Sequence, residues 1–163
     1  MHRIRFAIIF FVPLFLFAGC SGPTFTQPTR PSVKDSQAIA EDYSHPMQVG
    51  KAAILVEVAN TDATRTQGLS DRENLKDGQG MLFDFSNTQT PRPSFWMKDM
   101  NFDIDIIWIA NGKIVGITPN VPAPQDSNKL PTYAPPTDIS HVLEVPSSYS
   151  ERAGIKIGDT VRF

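Results

Sequence analysis

The chain has a single cysteine, Cys20, in 163 residues. An internal disulfide is therefore excluded, and so are the paired thiols of redox enzymes. Histidine is scarce too, with three in all and none in an HxxxH spacing, so the common zinc frameworks are missing. No run of Lys and Arg occurs, and 15 basic residues against 17 acidic ones give a net charge of −2, which argues against a nucleic-acid partner. No serine lies in a G-x-S-x-G nucleophile elbow. No unbroken apolar run reaches the roughly 20 residues that a transmembrane helix needs.

What is present is an ordinary globular composition, 40% hydrophobic and 20% charged, with room for one domain plus accessories. The 14 prolines are unusual. They gather in a segment after the N-terminus and between Pro119 and Pro136, which predicts long irregular connections there.

Residues 1–19 have the architecture of a signal peptide: Arg3 and Arg5, an uncharged stretch from Phe6 to Ala18 broken by Pro13, then Gly19. Leu16-Phe17-Ala18-Gly19-Cys20 resembles a bacterial lipobox, which implies lipidation at Cys20 and a membrane partner reached through that anchor. Ser21 after the cysteine leans toward the periplasmic face of an outer membrane, if the cell has two membranes. Residues 20–48 read as the lipidated cysteine and a Pro-rich tether, with a reach of roughly 30 Å as a flexible chain. The domain is expected over 49–163.

The stretch Gly80–Ile109 organises that domain, since it holds both tryptophans and three of the five methionines. Aromatic side chains bury on the order of 150–250 Å² each, so the core forms around them. Ala53–Ala59 is a β-branched run ending at the N-capping residues Asn60-Thr61-Asp62. A short helix is predicted from there to Gly68. Met81–Phe85 alternates as a strand, and Phe95–Met100 predicts a short one with Phe95 and Met97 on one side and Trp96 and Lys98 on the other. Ile104–Ile109 and Ile114–Ile117 flank Asn111-Gly112, the turn pair of a type I′ hairpin. Six prolines between Pro119 and Pro136 predict a loop without regular structure. His141–Val145 is a strand, Ser147–Ala153 a helical turn closed by Gly154, and Gly158-Asp159 a tight turn before a last strand. The expected fold is mainly β (α+β), a single small barrel-like or folded antiparallel sheet domain with two short helices.

These residues fall into ordered blocks: Gly68-Leu69 with Arg72, Gly80–Phe83 with Phe85, Phe95-Trp96-Met97-Lys98, Ile104-Asp105, Asn111-Gly112, Leu143-Glu144-Val145, and Gly154-Ile155-Lys156 with Gly158-Asp159. Over about Val49 to Phe163 the chain resembles the family called domain of unknown function 192. The resemblance implies a compact β-rich domain, often behind a signal peptide, with no agreed activity. Many relatives carry a cysteine near the loop matching Pro119–Pro136, and this chain has none there. Relatives often have a glycine before the terminal helix, where this chain has Ser147-Ser148-Tyr149.

Charges embedded in the aromatic blocks are the candidate site residues: Arg72, Lys98, Asp99, Asp103, Asp105 and Glu144. If Asp105 and Glu144 point into one pocket, Arg72 or Lys98 pairs with them, because an unpaired buried charge is costly. The result is a polar cleft walled by Trp96, Met97 and Trp108, whose rings stack on sugars or on the apolar face of a peptide. The plain alternative is a structural ion pair between strands. A hydrolase of envelope polymer using Asp and Glu is the rival class. A Cu(I) site from Met81, Met97, Met100 and His141 is a minor one, against which methionines among aromatics are ordinary core fillers. The function expected is an envelope-anchored lipoprotein binding a glycan, a peptidoglycan fragment or a protein partner, with no cofactor and no nucleic acid.

Overall fold

The computed structural model describes residues 41–126 and 128–163, so the signal segment, Cys20 and most of the tether lie outside the described residues. In chain order the elements are β1 (His45–Val49), β2 (Ala52–Ala59), α1 (Asp62–Gln67), β3 (Gln79–Asp84), β4 (Phe95–Trp96), β5 (Ile104–Ala110), β6 (Lys113–Val121), β7 (Thr132–Tyr133), β8 (His141–Pro146), α2 (Tyr149–Arg152) and β9 (Val161–Arg162). Seven of the strands form one sheet in the order β6-β5-β8-β3-β2-β1-β9, and β4 pairs with β7 apart from it. The sheet curls until its edges meet. Lys113 of β6 bridges Thr160 beside β9, and the Ile114 amide donates to the Asp159 carbonyl at 3.0 Å. The mainly β, barrel-like architecture with two short helices is thus the one the patterning predicts. No helix among the described residues is long and apolar enough to cross a membrane.

Local signals act where expected. The Thr61 hydroxyl accepts from the Thr64 amide at 3.1 Å while the Thr64 hydroxyl accepts from the Thr61 amide at 3.0 Å, a reciprocal cap that starts α1. Gly68, at φ +51°, ends it. Asn111 and Gly112 take φ of +51° and +68°, the left-handed pair that turns β5 back as β6.

The sheet departs from the expected one in four ways. β2 and β3 are parallel, with Glu57 opposite Met81, so the sheet is mixed rather than antiparallel. The cause is α1, which carries the chain back over the sheet between them. β1 begins at His45 and takes up the last residues of the segment read as tether, because Met47 and Val49 are buried against Ile54 and Val161. β6 runs on through Pro119 to Val121. The register shifts between Ile104 and Ile106, and at such a bulge a residue without an amide hydrogen is tolerated. Lastly, the strand at Phe95 stops at Trp96, and its partner is Thr132-Tyr133 from within the proline-rich interval.

Both faces of the central strands are buried, which is why Ile104–Ile109 reads as a nearly unbroken apolar run. One cluster, including Val49, Ile54, Leu82, Ile107, Leu143 and Val161, draws on strands all around the sheet and fills the barrel. The other, including Leu69, Met81, Met97, Met100, Ile106 and Trp108, lies on the outer face of β3, β8 and β5 under the connecting segments.

Candidate functional site

Glu144 stands on β8 opposite Met81 of β3 and Ile106 of β5, and therefore on the covered outer face. α1, the turn after it and β4 roof that face incompletely. They leave a cleft of about 380 Å³ lined by Arg65, Phe83, Phe85, Phe95, Trp96 and, at its floor, Glu144. The Phe95 ring meets Phe83 edge-on at 5.1 Å and Phe85 at 6.0 Å. These contacts fix the walls.

Glu144 is only 5% exposed and has no hydrogen-bond or ion-pair partner among the described residues. Burial penalises its anion and raises its pKa to about 8. At neutral pH the cleft thus ends in a carboxylic acid, which can donate a hydrogen bond. Arg65 supplies the cation at the rim. Its guanidinium donates to the Asp84 carbonyl at 2.8 Å and to Asp62 Oδ1 at 2.6 Å, and lies 5.5 Å from the centre of the Phe85 ring. Trp96 is 52% exposed and shared between this cleft and a neighbouring groove of about 440 Å³, which adds Asp71, Lys98 and Asp99.

The expected cleft is redrawn by these positions. Trp96 and Glu144 come together in it, whereas Met97 and Trp108 are each 1% exposed and belong to the core behind it. Trp108 Nε1 donates to the Thr118 hydroxyl at 3.0 Å, so its polar edge is already used. Arg72 pairs with neither candidate carboxylate: both its terminal nitrogens donate to Glu57 at 2.8 Å, and one also donates to the Tyr43 hydroxyl at 2.9 Å. This is the structural ion pair, with a different acidic partner. Lys98 is exposed and its nearest acid is Asp99 at 4.0 Å.

Asp105 does not share a pocket with Glu144. Its fully buried carboxylate accepts from the amides of Asn120 at 2.9 Å, Ser148 at 3.0 Å and Ser150 at 3.0 Å, and from the Ser150 hydroxyl. It ties the β6 bulge to the start of α2. Asp103 accepts from the Ala123 amide at 2.8 Å. Of the four soft ligands, Met81, Met97 and Met100 share the outer core cluster, but His141 lies on the same side of β8 as Leu143, opposite to the face that carries Met81, and does not join them. Its imidazole pKa is lowered by burial, against the pull of Asp84, and its ring packs on Phe163 at 4.7 Å.

Arg65 is the cleft residue that the sequence reading passes over. The spacing Asp62-x-x-Arg65 on a predicted helix marks an i,i+3 pair, but nothing local shows that Arg65 also reaches the carbonyl of Asp84.

No functionally curated protein matches the chain. Several solved structures resemble it, two of them as follows. A protein of unknown function from Novosphingobium aromaticivorans is 27% identical with a TM-score of 0.64, the match covering 72% of this chain and 84% of that one. A candidate transcription regulator from Sinorhizobium meliloti is 28% identical with a TM-score of 0.61, the match covering 72% and 89%. The family model DUF192, described as Uncharacterized ACR, matches residues 45–163, the whole of the sheet from β1 to the C-terminus. This chain belongs to the DUF192 family.

Proposed function

We propose that the domain is a binding module of the cell envelope, held at a membrane by lipid on Cys20, and that the α1–β4 cleft takes a glycan or peptidoglycan fragment. One observation carries the reading: the carboxyl group of the nearly buried Glu144, without a hydrogen-bond partner among the described residues, opens onto a cleft whose mouth is an exposed tryptophan. A sugar offers what both ends lack. Its C–H face stacks on Trp96, and an oxygen directed inward accepts the Glu144 proton. A neutral donor at the floor costs less to keep dry than a charge, which suits a site that binds uncharged hydroxyl or acetamido groups.

The rival, a hydrolase, draws support from the raised pKa of Glu144, which would suit a general acid. It lacks an unpaired second carboxylate in the cleft among the described residues. Asp105 faces away and is saturated, and Asp62, the other acid lining the cleft, is engaged by Arg65. The description of the S. meliloti relative does not carry over, since this chain has no basic stretch to meet nucleic acid.

Thermal-shift measurements on the full chain in detergent micelles test the proposal, with muropeptides and chito-oligosaccharides as probes. A ligand at 100 times its Kd adds about 2.7 kcal/mol of stability. A shift that disappears in Trp96→Ala supports the cleft, and a shift that survives this substitution places binding elsewhere. Incorporation of labelled palmitate, lost in Cys20→Ala, tests the anchor.

A further inference from the structure

The cleft does not end at Trp96. The groove on its far side shares Asp62, Thr66, Gln67, Ser70 and Trp96 with it, so the two recesses are continuous along one edge of α1. Their linings differ in character. The first is aromatic and has Glu144 at its floor, whereas the second is polar, adding Asp71, Lys98 and Asp99. Its backbone is held firmly: the Asp71 amide donates to the Asp99 carbonyl at 2.7 Å, and the Ser70 hydroxyl donates to the Lys98 carbonyl at 2.8 Å. The side chains of Lys98 and Asp99 remain about half exposed, with only a 4.0 Å contact between them.

We infer that the ligand is a linear glycan of at least two sugar rings, one seated in the aromatic cleft and the next in the polar groove, with Trp96 as the platform between them. This rests on the reading of the cleft as a glycan site and adds its length and direction. A single ring uses one wall of Trp96 and leaves the donors and acceptors of the groove in water. A second ring, rich in hydroxyls that both donate and accept, matches a groove holding Asp71, Asp99 and Gln67 as acceptors and Lys98 and Gln67 as donors. Each recess, at about 380 and 440 Å³, falls in the range of small-molecule sites. A second ring on the same chain binds as an intramolecular event, so the gain in affinity is large for few added contacts.

The test is a titration of the full chain in detergent micelles with N-acetylglucosamine and its β-1,4-linked dimer, trimer and tetramer, followed by tryptophan fluorescence and calorimetry. The expected result is a fall in Kd of about tenfold or more from one unit to two, which is about 1.4 kcal/mol, with little further gain beyond the units the two recesses hold. Lys98→Ala, at an exposed position whose side chain makes only the 4.0 Å contact with Asp99, is expected to erase most of that gain. Equal Kd values for one and two units, or a gain untouched by Lys98→Ala, overturn the two-ring site while leaving a one-ring cleft standing. Absence of binding by every member of the series at 10 mM or so overturns the glycan reading itself. So does a free stem peptide that binds where the saccharides do not.

Discussion

Asp105 and Glu144 occupy adjoining rungs of the β5–β8 ladder, Asp105 opposite Val145 and Ile106 opposite Glu144, and their side chains leave the sheet on opposite faces. Two acids that look alike in the sequence thus have unlike lives. Asp105 is surrounded by donors, whereas Glu144 is surrounded by aromatic walls. The period-two geometry of a strand produces this separation.

Glu144 should make the protein less stable as pH rises. The folded state keeps the proton up to about pH 8, while an unfolded glutamate loses it near 4.5. Between those values the native state binds more protons than the unfolded one, so stability declines across the window and levels off above it. The full decline is roughly 3–5 kcal/mol for this one group. Glu144→Gln removes the titration, so urea denaturation at pH 5 and at pH 8.5 should show the variant gaining on the native protein as pH rises. Parallel curves for the two proteins would sink this account of the carboxyl.

Asp105→Asn should destabilise strongly and leave ligand affinity alone. Asparagine keeps one acceptor oxygen but turns an NH₂ toward the donors of Ser148 and Asn120 or of Ser150, so buried donors lose their partner. The loss is about 2–4 kcal/mol, since these are hydrogen bonds to a charged group. Amide exchange should quicken first at Asn120, Ser148 and Ser150. An unchanged denaturation midpoint would show that the buried carboxylate does not hold this end of the barrel.

Elements set by neighbours in sequence were legible in advance, and those set by distant partners were not. Asn111-Gly112 needs only its own backbone to turn, and α1 needs only the Thr61 cap and Gly68. The alternation of Phe95-Trp96-Met97-Lys98 put Trp96 and Met97 on opposite sides, and their exposures of 52% and 1% agree. The parallel union of β2 and β3 was hidden, because nothing in either strand states which edge it joins. The partner of Arg72 was hidden for a related reason. Glu57 sits on a strand of apolar residues fifteen positions earlier, and its side chain meets Arg72 only after the chain has crossed over by α1. The cleft itself arises from the incomplete roof over β3 and β8, a property of packing that no residue pattern encodes.

Arg72→Ala should cost about 3 kcal/mol by isolating the half-buried Glu57 carboxylate. Replacing both residues with apolar ones of similar size, as in Arg72→Met with Glu57→Leu, should recover much of that loss, because the charges then vanish together. A double-mutant cycle in urea measures the coupling. A ligand-binding role for Arg72 would appear instead as lost affinity in a double variant of native stability.

Trp96 and Trp108 should respond in opposite ways to truncation. Trp108 is 1% exposed, meets Phe95 edge-on at 5.5 Å and donates to Thr118, so Trp108→Ala opens a cavity and strands a hydroxyl, a loss of about 3–5 kcal/mol. Trp96 projects into solvent from a two-residue strand, and Trp96→Ala should shift stability by no more than about 1 kcal/mol. Fluorescence separates the two rings directly. The Trp96→Phe protein should emit only from the buried indole, blue-shifted and indifferent to saccharide, whereas the native protein adds a red component that changes when a sugar covers Trp96. A ligand that alters the emission of Trp96→Phe to the same degree as the native protein would show that this ring is not the contact.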